Sequence, residues 1–165
     1  MGDWNGTVPT ILAGYVPSGD DWSAILGELT ALSAAWTDYP PVLTNLTLGG
    51  GTQYAKYRRV GKTVDYYWQF VYGAGSAIGT APSFTLPVAP ATYYGTGRTT
   101  AFPGTVHLLN SGVEHRQGNL AISSGSTVVV SFWNATPNLA DITATAPWTW
   151  NAPDAMTAWG SYEAA

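Results

Sequence analysis

Residues 57–73 read YRRVGKTVDYYWQFVYG, and with Lys56 just before them they hold four of the six Lys and Arg of the 165-residue chain beside a run of aromatic residues. Strict alternation over Thr63–Tyr72 is the mark of a strand with one buried face. Val64, Tyr66, Trp68, Phe70 and Tyr72 fall on one side, and Thr63, Asp65, Tyr67 and Gln69 on the other. A Gly61-Lys62 loop with Gly first suits a type II′ turn, which makes the stretch a β-hairpin and sets its register. Val60 then faces Thr63, Arg59 faces Val64, Arg58 faces Asp65, Tyr57 faces Tyr66, Lys56 faces Tyr67 and Ala55 faces Trp68. Arg58 with Asp65 is a cross-strand ion pair and Tyr57 with Tyr66 an aromatic pair, while Lys56 can lay its stem over Tyr67. Each pair contributes about 0.2–1 kcal/mol and together they fix the register. The basic residues thus have structural partners and need no ligand to explain them. Arg59 alone falls on the apolar face, from which it either snorkels past the end of the sheet or reaches a carboxylate of a neighbouring subunit.

The same texture continues from Val42 onward, as short alternating runs separated by Gly, Pro, Asn and Ser about every ten residues. Expected strands are Val42–Leu48, Gln53–Val60, Thr63–Tyr72, Ser83–Leu86, Arg98–Phe102, Thr105–Asn110, Val113–Ala121, Thr127–Trp133, Thr143–Thr149 and Met156–Tyr162. The glycines of 73–79 are expected to form a wide hairpin connection. With 19 Gly, 11 Pro, 8 Trp, 10 Tyr and only 10% charged residues, the composition agrees with a mainly β fold, an antiparallel jelly roll or β-sandwich. The domain spans 37–165 and follows an extended arm at 1–19 and a helix at 20–36. The arm is too apolar for a solvated tail, so it is expected to dock on an assembly or on its own domain. In the helix, Ser18 and Asp21 form a capping box and Pro40-Pro41 end it. Trp22, Ile25, Leu29, Leu32 and Trp36 recur at spacings of three and four, a seam of about two heptads. One reading is an oligomerising helix; the other is an amphipathic helix lying on the β domain.

A net charge of −4 and a pI near 4.8 argue against a partner made of nucleic acid. Arg98 and Arg116 are the only cations left to extend a basic track. The chain has no Cys, which removes disulfides, thiolate metal sites and cysteine nucleophiles. No run approaches the ~20 apolar residues that span a bilayer, and the opening MGDWNGTVPT has no signal-peptide pattern. Neither membrane insertion nor export is expected, and the sequons at Asn5, Asn45 and Asn134 carry little weight.

No pattern of catalysis stands out. The ten carboxylates do not suggest a facing pair, Gly73–Gly79 lacks a nucleophile elbow, and Gly61-Lys62-Thr63 has only the last letters of a phosphate-binding loop. A two-residue Ser111-Gly112 turn would set Leu108 opposite His115 and His107 opposite Arg116. The imidazoles would then point to opposite faces, which speaks against a shared metal. No cofactor is expected. Aromatic side chains remain: Trp148 with Trp150, Trp133, and Tyr93-Tyr94 either form a stacking platform for a glycan or lie in the core or a subunit interface.

Trp36-Thr37-Asp38-Tyr39-Pro40-Pro41, Tyr57–Val64, Ser83-Phe84-Thr85-Leu86-Pro87, Trp148-Thr149-Trp150 and Gly160–Ala164 give the chain, from about residue 36 to its end, a further likeness. It resembles the small β-rich virion proteins of tailed bacteriophages, especially those of actinobacterial hosts, of minor-tail or head-decoration type. The resemblance implies a non-enzymatic virion surface protein, assembled in the host cytoplasm. It would be attached to other capsid or tail proteins by its N-terminal segment and display a trimeric β domain. A carbohydrate-binding module or a receptor-binding protein contacting a host cell-surface glycan is the alternative.

Overall fold

The computed structural model describes residues 18–32, 35–95, 102–136 and 138–165. The arm at 1–17 and most of the expected Arg98–Phe102 strand lie outside them. The described chain is mainly β: one helix, α1 (Gly19–Leu32), precedes strands β1 (Thr37–Asp38), β2 (Leu43–Thr47), β3 (Thr52–Val60), β4 (Thr63–Val71), β5 (Ala77–Thr85), β6 (Gly104–Asn110), β7 (Glu114–Ser124), β8 (Thr127–Trp133), β9 (Leu139–Asp141) and β10 (Ala155–Glu163). They form a ten-stranded antiparallel sheet in the order β1-β3-β4-β10-β6-β7-β8-β5-β2, with β9 added beside β8. The sheet curls into a half-barrel.

The β3–β4 hairpin has the register its alternation dictates, from Val60 opposite Thr63 to Thr52 opposite Val71. Gly61 sits at φ 58° and Lys62 keeps a negative φ, as a type II′ turn requires. Arg58 Nε donates to Asp65 Oδ2 at 2.9 Å. Arg59 turns its guanidinium back over the turn, where Nε donates to Gly61 O at 2.8 Å, so it leaves the apolar face by snorkelling. Lys56 lies opposite Tyr67, but its ammonium sits 5.5 Å from the centre of the Tyr54 ring and 3.4 Å from Asp38 Oδ1.

Curling brings the inner faces of distant strands together. Val64, Tyr66, Trp68 and Phe70 of β4 are fully buried, as are Leu108 of β6, Ile122 of β7, Val128 and Val130 of β8, and Met156 of β10. Four strands separate β4 from β5 in the sheet. Even so, Phe84 of β5 stacks on Trp68 with ring centroids 4.3 Å apart and planes 15° apart. That cross-barrel contact closes the core. The last strand is also the most central of its wing: β10 pairs with β4 on one side and β6 on the other. The sheet's two edges are blunted. β1 is two residues long, and β2 is interrupted by a bulge at Asn45, whose φ is 55° and whose Nδ2 donates to Thr80 O at 2.8 Å.

Several expected elements differ. The helix covers 19–32 rather than 20–36, so Trp36 stands outside it in extended chain leading to β1. Pro40-Pro41 therefore follow a strand and do not end the helix. The 73–79 segment is no hairpin connection: β4 and β5 do not pair, and the chain crosses there from one wing to the other. Thr143–Thr149 is not a strand but a tight turn closed by a Thr143–Ala146 bridge. The Ser111-Gly112 turn gains a third residue. Gly112, at φ 77°, occupies the third position of a type II turn closed by Val113 N donating to Asn110 O at 2.9 Å. Val113 is thus an added loop residue, Leu109 faces His115, and every residue of β7 moves to the opposite face from the one expected.

Candidate functional site

The outer face of strands β3, β4, β10, β6 and β7 is an open, largely uncharged surface. Register sets out its rows. One runs Lys56, Tyr67, Trp159, Thr105, Asn119, and the next runs Tyr54, Gln69, Thr157, His107, Gln117. Tyr54 and Tyr67 meet edge to face at 6.0 Å, and Gln69 Nε2 donates to Thr157 Oγ1 at 3.3 Å. Trp159 is 46% exposed although its strand neighbours Ala158 and Met156 are fully buried, so a large indole has been placed on the side facing water.

Beside Trp159 lies an open groove of about 360 Å³, lined by Phe102, Pro103, Gly104, Thr105, Asn119, Trp159, Gly160 and Ser161. Two aromatic side chains, one amide and two hydroxyls border it, and none of the eight residues is charged. Such a lining offers apolar faces for stacking and a few fixed hydrogen-bonding groups. That combination suits a neutral pyranose, whose C–H face is apolar and whose rim is polar. A second open groove of about 430 Å³ lies at Asp38, Tyr39, Pro40, Gln53, Tyr54 and Ala55.

The aromatic residues expected to form a platform are distributed differently. Trp148 and Trp150 are buried in the core with ring centroids 5.2 Å apart, and Trp150 Nε1 donates to Thr143 O at 3.1 Å. Spacing of two had suggested one strand face; the segment is a loop that folds both indoles inward, so they present no stacking surface. Tyr93 and Tyr94 stack at 4.8 Å and brace the end of β10. Tyr93 Oη donates to Glu163 Oε2 at 2.9 Å, and Glu163 N donates to Tyr94 Oη at 3.0 Å. The hydrogen bond to Glu163 pushes the Tyr93 phenol up to about 12. Trp133 is exposed at the end of β8, away from the groove's lining. Trp159 and Tyr67 were the missed residues. Their signal was available in the alternation itself, since each is an aromatic residue in the polar phase of its strand.

Of the seam residues, Trp22 is 55% exposed and Ile25 half-buried; the side chains of Leu29 and Leu32 lie outside the described residues. Leu26, on the flank, is 60% exposed. Trp36 is exposed as well, with the Arg58 guanidinium 5.5 Å from its ring centre. Among the described residues α1 makes no extended contact with any strand.

Five carboxylates have structural partners. Asp38 meets Lys56, Asp65 meets Arg58, Glu114 meets Arg116, and Glu163 meets Lys62. Buried Asp154 accepts from Ser111 N at 2.9 Å and Asn151 N at 2.8 Å, tying the loop before β10 to the β6–β7 turn. Among the described residues no helix is long and apolar enough to cross a membrane. The two histidines, expected on opposite faces, share the outer face instead, with His115 Nδ1 3.0 Å from His107 Nε2. Comparison of the chain with protein-family models, curated proteins and solved structures gives no match.

Proposed function

We propose that this chain is a structural surface protein of a bacteriophage virion. Its N-terminal arm and helix attach it to capsid or tail proteins, and its β domain is displayed outward as a homotrimer. On this reading the half-barrel is of jelly-roll or sandwich type. The observation that carries the proposal is the helix: among the described residues α1 exposes Trp22 and Leu26 and makes no extended contact with any strand. An apolar helix face beside a domain whose core is complete without it is a docking element, and its heptad spacing favours copies of itself. The resemblance to phage virion proteins supplies the setting and supports a role without catalysis. The native mass by light scattering tests it, for the full chain and for a version beginning at Thr37. A trimer that falls to a monomer in the shorter version supports the proposal; a monomer in both refutes it. Images of the particle then distinguish head decoration from a tail appendage.

A second reading, a carbohydrate-binding module, is favoured by the groove beside Trp159. A glycan array tests it: binding to neutral glycans, lost in Trp159→Ala and retained in Trp133→Ala, would move this reading ahead. No binding by the native chain would discard it.

A further inference from the structure

We infer that His107 and His115 form a two-imidazole binding site for a divalent late transition metal, Cu²⁺ foremost and Ni²⁺ next. The type II turn at Ser111-Gly112 and the added Val113 create it. Without that one-residue shift the two side chains would lie on opposite sides of the sheet. With it, His115 sits opposite Leu109 and His107 opposite Gln117, diagonal neighbours on one face of a hairpin. Their rings lie 4.9 Å apart at 30° between planes, and Nε2 of His107 and Nδ1 of His115 approach to 3.0 Å.

The spacing suits one class of ion. Two nitrogens about 2.0–2.1 Å from a shared cation and 3.0 Å apart subtend an angle of roughly 94° at it. A tetrahedral ion would separate them by roughly 3.3 Å, whereas neighbouring positions of a square or tetragonal complex need about 90°. Cu²⁺ and Ni²⁺ prefer that geometry and rank highest for imidazole among the common divalent ions.

Protonation allows it. Without an ion, one ring donates its N–H to the other across the 3.0 Å gap. For both nitrogens to offer lone pairs, the donor ring moves that proton to its other nitrogen. That is a change of tautomer and needs no other group. The nearest charged side chains in sequence, Glu114 and Arg116, lie on the opposite face of β7 and pair with each other at 2.9 Å, so neither is directed at the position. Gln117 and Thr157, the cross-strand neighbours of His107, are uncharged. Among the described residues no group of three or more His, Asp or Glu is placed to hold an ion, so the protein supplies two positions and water the rest.

The chain's having two histidines in all makes the test clean. CuCl₂ is titrated into the full-length protein in a non-coordinating buffer, and binding is followed by calorimetry and electron paramagnetic resonance; no binding would overturn the inference. The expected result is one equivalent per chain with coupling to two imidazole nitrogens. His107→Asn and His115→Asn should each weaken binding by roughly 100-fold, because one ligand alone loses the intramolecular second attachment. Should either variant fold poorly, nuclear magnetic resonance of the native protein gives the same answer through simultaneous paramagnetic broadening of both rings. Coupling to a single nitrogen, single variants that bind as well as the native chain, or tighter binding of Zn²⁺ than of Cu²⁺ would each overturn the inference.

Discussion

Replacing Phe84 by Ala removes the ring through which the two wings of the curled sheet meet. Phe84 has no exposed surface and stacks on Trp68 at 4.3 Å, and its centroid lies 6.5 Å from that of Tyr66. Truncating a buried Phe to Ala costs about 3–5 kcal/mol, with a stacked aromatic neighbour adding about 0.5–1.5 kcal/mol beyond area burial. Strands β4 and β5 share no backbone ladder; the segments beside them do bond, with Gly50 N donating to Ala74 O at 2.7 Å and Ala91 N to Glu163 O at 2.8 Å, so Phe84→Ala removes side-chain packing and leaves those bonds in place. We therefore expect a loss of about 4–5 kcal/mol, a large part of the 5–15 kcal/mol typical of a domain, and a melting temperature lower by about 15 °C. Phe84→Leu should lose less than half as much. Guanidinium unfolding followed by tryptophan fluorescence measures both, with Val42→Ala, at a 65% exposed position, as a control expected within about 0.5 kcal/mol of the native chain. A Phe84→Ala loss below about 1.5 kcal/mol at unchanged m-value would refute the view that this stack closes the core.

Asp65→Asn should cost no more than about 1 kcal/mol, since its partner Arg58 is exposed, and chemical unfolding would show a larger structural role if one existed. Gly61→Ala should cost about 1–2 kcal/mol although nothing lies within 4 Å of the added carbon, because the residue sits at φ 58°; an unchanged melting temperature would contradict the turn assigned. A chain beginning at Thr37 should keep the melting temperature of its β domain within a few degrees, as α1 makes no extended contact with the sheet among the described residues. Burial pushes the Tyr162 phenol up to about 12, and its hydroxyl donates to Val88 O at 2.7 Å. A folded-state value above the unfolded value near 10 means that this contribution is whole below pH ~10 and is lost as pH rises through about 12. Urea midpoints measured from pH 8 to 12 should therefore fall at the alkaline end, and Tyr162→Phe should fall less steeply.

The β3–β4 hairpin was legible residue by residue because two independent signals coincide there: Gly in the first turn position and nine residues of unbroken alternation. The β6–β7 hairpin had alternation without an unambiguous turn. Ser-Gly places Gly second, which fits a type II turn plus an extra residue as readily as a two-residue loop, and that one residue determined where His115 would point. Trp148 and Trp150 were misplaced for a different reason. Their spacing of two has strand meaning only within a strand, and here a loop between Ile142 and Asp154 buries them. The extra length of the expected helix comes from counting Trp36 into the periodic pattern, whereas Trp36 stands in extended chain before β1.

Buried and exposed residues are divided between the sheet's two faces. Neighbouring residues of one strand belong to opposite roles: Ala158 and Trp159, Tyr66 and Tyr67, Val106 and His107. The inner member of each pair is at most 1% exposed, so changes there unfold the domain before they report on function. The outer members cover no core. Substitutions at Trp159, Tyr67, His107 and His115 should therefore leave the fold intact, and any binding they abolish can be assigned to the sheet's outer face. That separation also underlies the expectation that a chain lacking α1 keeps its sheet: Phe84 stacks on Trp68 from within the β domain. What the helix contributes must then be measured as association between chains, while the outer face is measured as affinity for a ligand. The two can fail independently.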